Sequence, residues 1–145
     1  MAFTFRFETV LKVRKIREDL ALQAFSKAQH HYLSLANMLQ QKTQARDEIR
    51  RELMAKMRRG IGSHEARQYV TYLSHLDSDV VKLNGYLESA RKQLNSERET
   101  MLTAKKESKA IERLREIHQG RYHKDMNKKE MRFIDEMAIM RHGGH

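Results

Sequence analysis

Proline is absent from this chain of 145 residues, and glycine occurs only six times, so few positions favour a turn or a helix break. The chain is instead rich in alanine, leucine, glutamate, lysine and arginine, which are strong helix formers. A chain of this length usually forms one domain. We therefore expect residues 1–145 to form a single all-α domain.

Cysteine is also absent, which excludes disulfide bonds and thiol chemistry. No apolar run approaches the ~18 residues that a membrane-spanning helix needs. The N-terminus lacks the apolar core of a secretory signal. These three absences lead us to expect a cytoplasmic protein.

Catalytic motifs are missing as well: there is no glycine-rich phosphate loop, HExxH, CxxC or nucleophile elbow. The eight histidines do not have ligand spacing. His30 and His31 are adjacent and point to different helix faces, and His118 and His123 are five residues apart, which suits a metal poorly. We expect no enzyme activity, no cofactor and no metal site, and we do not favour a metal-dependent hydrolase.

What the chain does contain is an apolar heptad repeat between Tyr69 and His118. Alternating steps of four and three residues keep one narrow stripe aimed at a partner helix. Only Glu97 and Ser108 interrupt the apolar part of this stripe. The repeat positions are Tyr69, Leu73, Leu76, Val80, Leu83, Leu87, Ala90, Leu94, Glu97, Met101, Ala104, Ser108, Ile111, Arg115 and His118. Such a stripe is too narrow for a globular core and requires a second helix.

A thinner stripe upstream supplies that second helix. Its alanines allow two backbones to approach closely, and Lys42 stands at one expected core position. The stripe consists of Ala21, Ala24, Ala28, Leu35, Met38, Ala45, Ile49 and Leu53. Because these side chains are small, we expect the partner helix to hold this helix in place.

The only clear turn signal is Arg58-Arg59-Gly60-Ile61-Gly62-Ser63. Gly60 suits the left-handed conformation that ends a helix, and a turn this short predicts antiparallel neighbours. The sequence therefore predicts a long antiparallel two-helix coiled coil, with a helix over about 4–58, a turn at 59–63 and a longer helix over about 64–140. Such a turn places residues whose numbers sum to about 122 side by side. The expected pairs are Ile49 with Leu73, Leu35 with Leu87, Ala28 with Leu94 and Ala21 with Met101.

Both ends of the chain carry additional apolar residues. Phe3, Phe5 and Phe7 alternate as in a strand, but Phe3 and Phe7 also fit a helix capped by Thr4, and we favour the helix because no strand partner exists. Beyond Gly120, where the chain projects or bends back, the segment Met126–Met140 has an apolar face with no predicted partner. Exposed apolar faces of this kind usually mark interaction sites. Asn84-Gly85 is interpreted as a weak point within a continuous helix.

The net charge of +10 suggests an acidic partner. Most of the charges are dispersed along helical faces, as on a solvated coiled coil. Antiparallel pairing brings two basic clusters to the same end, but neither has a nucleic-acid recognition motif or interleaved aromatic residues. Arg14 and Arg17 fall at seam positions, where their stems can pack while their head groups reach Glu107 or Glu112. The basic clusters are Lys12, Arg14, Lys15 and Arg17, and Arg121, Lys124, Lys128, Lys129 and Arg132.

Three motifs, taken in their order along the chain, resemble those of the FliJ family of flagellar type III export proteins. The start, Phe3-x-Phe-x-Phe-x-x-Val-Leu-x-x-Arg, resembles the family's N-terminal signature. Gly60-Ile-x-Ser, followed by Tyr69 and Tyr72, resembles its hairpin turn. Four segments of the second half of the chain resemble the family's C-terminal pattern. They are Lys109-Ala-Ile-Glu-Arg-Leu-Arg-Glu, Tyr122, Lys129-Glu and Asp135-Glu136. The resemblance covers nearly the whole chain.

The resemblance implies a non-enzymatic coiled coil similar to the central stalk of rotary ATPases. It implies that the end with both termini inserts into the hexameric flagellar export ATPase and promotes assembly of that ring. Other implied partners are the ATPase's regulatory stator, the cytoplasmic part of the export gate and the export chaperones. The implied role is in flagellum biogenesis and motility, at the inner face of the cell membrane and peripheral to it through the export apparatus.

Residue by residue, the resemblance implies two contact surfaces. The ATPase-binding residues are Phe7, Arg14, Arg17, Tyr122, Asp135 and Glu136. The gate-binding residues are Ile49, Tyr72 and Leu76, on a stretch where Lys42 and Asp79 place charges instead of apolar or small residues.

Three alternatives remain open from the sequence. The first is the stalk component of a virulence type III secretion system, and the second is a basic coiled coil that binds nucleic acid. The third is a structural coiled coil that self-associates through Met126–Met140.

Overall fold

The computed structural model of the chain describes residues 2–143, which form two long α-helices and, within that range, no strand. Helix α1 is Glu8–Arg59 and helix α2 is Ser63–Gly143, and residues 60–62 join them. Ion pairs join α1 to α2 with the two chain directions opposed. The predicted all-α antiparallel coiled coil with a longer second helix is confirmed.

The turn has the conformation that its sequence predicts. Gly60 has a φ of 87°, in the left-handed region, where a Cβ atom would be strained. Its amide donates to the carbonyl of Met57 at 3.2 Å, and the amide of Ala66 donates to the carbonyl of Gly62 at 3.0 Å. Basic residues in the last turn of α1 and Glu65 in the first turn of α2 complement the two helix dipoles.

Helix α1 begins at Glu8, later than the predicted start near residue 4. Thr4 therefore does not cap the helix, and residues 2–7 approach it in a non-helical conformation. The amide of Glu8 donates to the carbonyl of Phe5 at 3.3 Å, which closes a turn before the helix. Phe5 is only 5% exposed. Burial of this ring outweighs the few local hydrogen bonds that an earlier helix start would add.

The chain divides into two compact units. The hairpin unit is Ala21–Met101 and contains the turn, whereas the terminal unit combines Met1–Leu20 with Leu102–His145. The single domain expected for residues 1–145 stays a prediction.

The core of the hairpin unit lies on the heptad stripe of α2. Leu35, Leu83 and Ala90 form a buried cluster, against which Tyr32, Leu39 and Leu87 pack. The predicted neighbours Leu35 and Leu87 are therefore in one cluster. The other buried apolar residues of this unit are Ala21, Leu53, Leu76, Val80 and Leu94.

The core of the terminal unit is smaller. Its buried residues are Phe5, Leu11, Ala104 and Ser108. Ser108, one of the two interruptions of the heptad stripe, is the most completely buried of them at 1% exposure. Ala104 and Ser108 are small, so Phe5 and Leu11 supply most of the buried apolar area of this core.

Helix α2 continues without interruption through Gly85 and Gly120, so the chain does not bend back at Gly120. The interpretation of Asn84-Gly85 as part of a continuous helix is confirmed. A Cβ atom added at either glycine would meet no neighbouring atom within 4 Å. Within residues 2–143, neither helix has a segment apolar enough to cross a bilayer.

The buried cluster gives a direct test of the seam. Leu83→Ala removes buried methyl groups and leaves a cavity, so we expect it to lower the free energy of unfolding by about 2–4 kcal/mol. Val81 lies two residues earlier on α2 and is exposed, so Val81→Ala should change stability by less than about 0.5 kcal/mol. Urea denaturation followed by circular dichroism measures both values. Equal losses in the two variants would contradict the assigned seam.

Replacing Gly85 or Gly60 by alanine should change the stability of the protein in opposite directions. Gly85→Ala places a better helix former in open space, and we expect a gain of about 0.5–1 kcal/mol. Gly60→Ala forces a Cβ atom into the left-handed region and should cost about 1 kcal/mol. The midpoints of thermal unfolding should therefore move apart, and a shift in the same direction for both would contradict the described turn.

Candidate functional site

Ion pairs join the two helices of the terminal unit. The guanidinium of Arg14 is half-buried and binds the carboxylate of Glu107, as the sequence analysis predicts. Glu112 pairs with Lys15 at 3.0 Å rather than with Arg14 or Arg17. Because these pairs are partly solvated, each contributes at most about 1 kcal/mol to stability, and their main effect is to fix side-chain positions.

Arg17 differs from Arg14, although both fall at predicted seam positions. It is exposed, and it makes no ion pair within the described part of the chain. Lys12, one and a half turns earlier on α1, is exposed as well. Arg17 therefore presents an uncompensated positive charge to solvent, where a partner can reach it.

Aromatic rings fasten the non-helical N-terminal segment to α2. The ring centroids of Phe3 and Tyr122 are 5.5 Å apart, and those of Phe5 and His118 are 5.6 Å apart with the rings in an edge-to-face arrangement. The ring centroids of Phe5 and Phe7 are 5.8 Å apart in an edge-to-face arrangement, and the guanidinium of Arg6 lies 5.7 Å from the centre of the Phe7 ring. Two predicted ATPase-binding residues, Phe7 and Tyr122, are thus half-buried members of one aromatic cluster.

The predicted apolar face beyond Gly120 is exposed within the described residues. Phe133 is 63% exposed, and with Ile134 and Met137 it lines an open groove on α2. Asp135 and Glu136 lie in the same turns of α2 and are exposed, but they do not line this groove. A contiguous apolar stripe bordered by charged groups is typical of a protein-docking surface.

The structure places all six predicted ATPase-binding residues in the terminal unit. Sequence reasoning named Phe3, Phe5 and His118 but did not predict that they form one aromatic cluster with Phe7 and Tyr122. The alternating phenylalanines were the available signal. Their role depends on the facing residues of α2, which alternation alone does not identify.

The three predicted gate-binding residues lie in the hairpin unit and differ in exposure. Leu76 is 3% exposed because it belongs to the seam, and Ile49 is half-buried. Tyr72 is 49% exposed and borders a shallow groove together with His64, Arg67 and His75. Of the three side chains, Tyr72 is therefore the one available for direct contact.

Ion pairs join the charges on the stretch that is predicted to face the gate. Lys42, at its core-like position, is half-buried and pairs with Asp79 of α2 at 3.4 Å. Arg50 and Arg46 both reach Asp77, at 3.2 Å and 3.6 Å. These pairs explain how a lysine is tolerated in the seam, since its stem packs while its ammonium meets a carboxylate.

A polar cluster secures the helices beside the turn. The Tyr69 hydroxyl donates to Glu52 at 2.9 Å, and the Lys56 ammonium binds Glu65 at 3.1 Å while lying 5.0 Å from the centre of the Tyr69 ring. The contacts with Tyr69 and with Glu65 raise the pKa of Lys56 above its ordinary value. The ion pair of Lys56 with Glu65 joins the end of α1 to the first turn of α2.

Metal-binding groups are not assembled in the part of the chain that the structure describes. Residues 2–143 contain no cluster of three or more histidine or acidic side chains positioned to hold a metal ion.

Comparison with known proteins identifies the family. The family model described as "Flagellar FliJ protein" matches residues 3–145. The chain belongs to the FliJ family. A curated FliJ relative, the flagellar FliJ protein of Bacillus subtilis (strain 168), is 22% identical over 139 residues, which cover 96% of this chain and 95% of the relative.

A solved structure has the same fold. It is a YscO homolog, CT670 from Chlamydia trachomatis, with a TM-score of 0.69 and 20% sequence identity. The alignment covers 99% of this FliJ-family chain and 98% of the other. At this identity the likeness establishes the fold, and it agrees with the two-helix architecture described above.

The aromatic cluster can be tested with two phenylalanines of the terminal unit. Phe5→Ala removes a buried ring, so we expect amide hydrogens in the first turns of α1 to exchange at least about tenfold faster. Phe133→Ala removes an exposed ring and should leave exchange in α1 unchanged. Hydrogen exchange read by mass spectrometry measures both, and equal exchange in the two variants would contradict the fastening role of Phe5.

Proposed function

We propose that this FliJ-family chain is a non-enzymatic stalk and adaptor of the flagellar type III export apparatus. It inserts into the hexameric export ATPase, promotes assembly of that ring, and links it to the export gate and to substrate chaperones. The regulatory stator of the ATPase is a further partner. The proposed location is cytoplasmic, peripheral at the inner face of the membrane. The observation that carries the proposal is the family match over residues 3–145.

The proposed ATPase-docking surface is in the terminal unit. Arg17 is exposed and uncompensated, so it can attract an acidic surface over several ångströms. Arg14 is already held by Glu107 and can receive a second acidic partner only as part of that pair. We therefore propose that Arg17 contributes more than Arg14 to electrostatic attraction of the ATPase.

Apolar contact would come from the exposed face of α2. Phe133, Ile134 and Met137 offer the contact area that gives most binding energy at protein interfaces. Asp135 and Glu136 are exposed on the same stretch of α2, away from the groove, and can pair with basic groups of the surrounding ring. Phe7 and Tyr122 are half-buried, so their proposed part is to hold the N-terminal segment on α2 and to present one edge each.

The proposed gate contact centres on Tyr72. Its ring is exposed beside a groove, and tyrosine combines apolar area with a hydrogen-bonding hydroxyl. Ile49 and Leu76 support this surface from the seam, because their burial keeps the two helices together beneath it. The neutral Lys42–Asp79 pair removes the charge that would oppose an apolar partner.

The alternative is the corresponding stalk of a virulence type III secretion system. The likeness to the YscO homolog supports it at the level of the fold. The family match favours the flagellar assignment. The two are separated by testing which of the two export ATPases the protein activates.

Turnover of the cognate export ATPase should rise when the protein is added, because a stalk stabilises the assembled ring. Arg17→Glu reverses an exposed, unpaired charge, and we expect it to reduce the apparent affinity for the ATPase by about tenfold. Lys27→Glu makes the same charge change at an exposed site in the hairpin unit and should have no effect. ATP hydrolysis against protein concentration gives the readout.

Arg14→Glu serves as a comparison, since it breaks the pair with Glu107 and places two acidic groups together. Its effect on activation should be accompanied by a loss of stability, whereas Arg17→Glu should leave the unfolding curve unchanged. Failure of the unmodified protein to alter turnover or hexamer formation would refute the stalk role. Equal activation by Arg17→Glu would move the contact to the apolar face around Phe133.

A further inference from the structure

The turn end of the hairpin unit carries positive charge that its own ion pairs do not neutralise. Between Arg50 and Val70 the acidic residues are Glu52 and Glu65, and both contact Lys56. Within the described chain, the remaining arginines of this stretch are exposed and make no ion pair. They are Arg51, Arg58, Arg59 and Arg67, and we call them the tip arginines.

Exposed apolar side chains lie among the tip arginines. Met57 is 60% exposed, and Met54 and Val70 are exposed to nearly the same degree. Met54 and Arg58 are four residues apart on α1, and Arg67 and Val70 are three apart on α2, so each pair occupies one helix face. Methionine is flexible and apolar, which allows it to enter an irregular or fluid partner.

The short turn brings these groups to one place. Because residues 60–62 reverse the chain, the last turn of α1 and the first turns of α2 end beside each other. The contacts of Lys56 with Glu65 and with the Tyr69 ring hold these helix ends together. The tip arginines and the exposed methionines are therefore presented together by a fixed scaffold.

We infer that this hairpin tip binds directly to the surface of a bilayer that contains anionic lipid. Guanidinium groups match phosphate oxygens in a bidentate geometry, and clustered basic residues are attracted to anionic leaflets. Exposed methionine and valine side chains add the apolar part that enters the headgroup boundary, as at other interfacial protein surfaces.

Lipid fits the tip better than nucleic acid does. Single-stranded nucleic acid is bound through several aromatic rings on which successive bases stack. Near the tip, Tyr69 is covered by Lys56 and bonded to Glu52, which leaves Tyr72 as the one exposed ring among the described residues there. Exposed methionines give no advantage against a phosphate backbone, whereas they do against acyl chains. The inference goes beyond the proposed adaptor function, because it requires neither the ATPase nor the gate.

The test is cosedimentation of the full chain with vesicles. One set contains phosphatidylglycerol and phosphatidylcholine in equal amounts, and the other contains phosphatidylcholine alone. We expect binding to the anionic vesicles that weakens as salt rises, and little binding to the neutral ones. Equal binding to both sets, or binding to neither, would overturn the inference.

Variants locate the contact. Arg58→Gln/Arg59→Gln should weaken binding about 25-fold, since each arginine near an anionic surface contributes about fivefold. Lys27→Gln/Lys82→Gln removes the same charge from exposed, unpaired positions away from the tip and should change binding by less than about twofold. Met54→Ser/Met57→Ser should weaken binding several-fold while leaving its salt dependence intact.

Circular dichroism should show unchanged helix content in all three variants, because every replaced side chain is exposed. A loss of vesicle binding as large in the lysine variant as in the arginine variant would assign the binding to net charge and overturn the tip site. The last experiment measures binding of the same proteins to a duplex oligonucleotide. Binding to the duplex that needs Arg58 and Arg59, without binding to anionic vesicles, would replace lipid with nucleic acid.

Discussion

The narrow apolar seam between two antiparallel helices is the constraint on which the rest of this structure depends. In the hairpin unit it is one leucine or valine wide on α2, as Leu83 and Leu94 show, and it faces an alanine-rich partner. A seam of this kind buries little area, so most side chains of both helices stay in solvent. The chain consequently has a large surface for its size and a modest core.

The terminal unit meets the same constraint differently. Ala104 and Ser108 leave its seam with little apolar bulk, and the non-helical N-terminal segment adds Phe5 to it. Ion pairs such as Arg14–Glu107 then fix the positions of the flanking charges. Arg17 and the face around Phe133 take part in neither the seam nor these ion pairs. Our proposed ATPase contact is built on these exposed groups.

Much of the fold was predictable because it follows from periodicity and from one turn. The heptad stripe identified Leu83, Ala90 and Leu94 as core, and Gly60 marked the chain reversal. Of the two partners predicted for Arg14 and Arg17, Glu107 and Glu112, Arg14 binds Glu107. These features depend on local spacing, which a sequence displays directly.

Other features depend on contacts between distant residues, and sequence reasoning did not find them. The start of α1 at Glu8 follows from the packing of Phe5 against His118, which no local capping signal reveals. The low exposure of Leu76 was implicit in its heptad position, yet its family-based assignment placed it on a contact surface. A position can belong to a functional region and still act from beneath the surface.

Hydrogen exchange of the full chain, alone and with the assembled export ATPase, tests the central proposal most directly. The account predicts new protection over residues 121–143 and around Arg17, and none around the tip arginines, because the terminal unit is proposed to enter the ring. Protection confined to Ala21–Met101, or none at all, would contradict it.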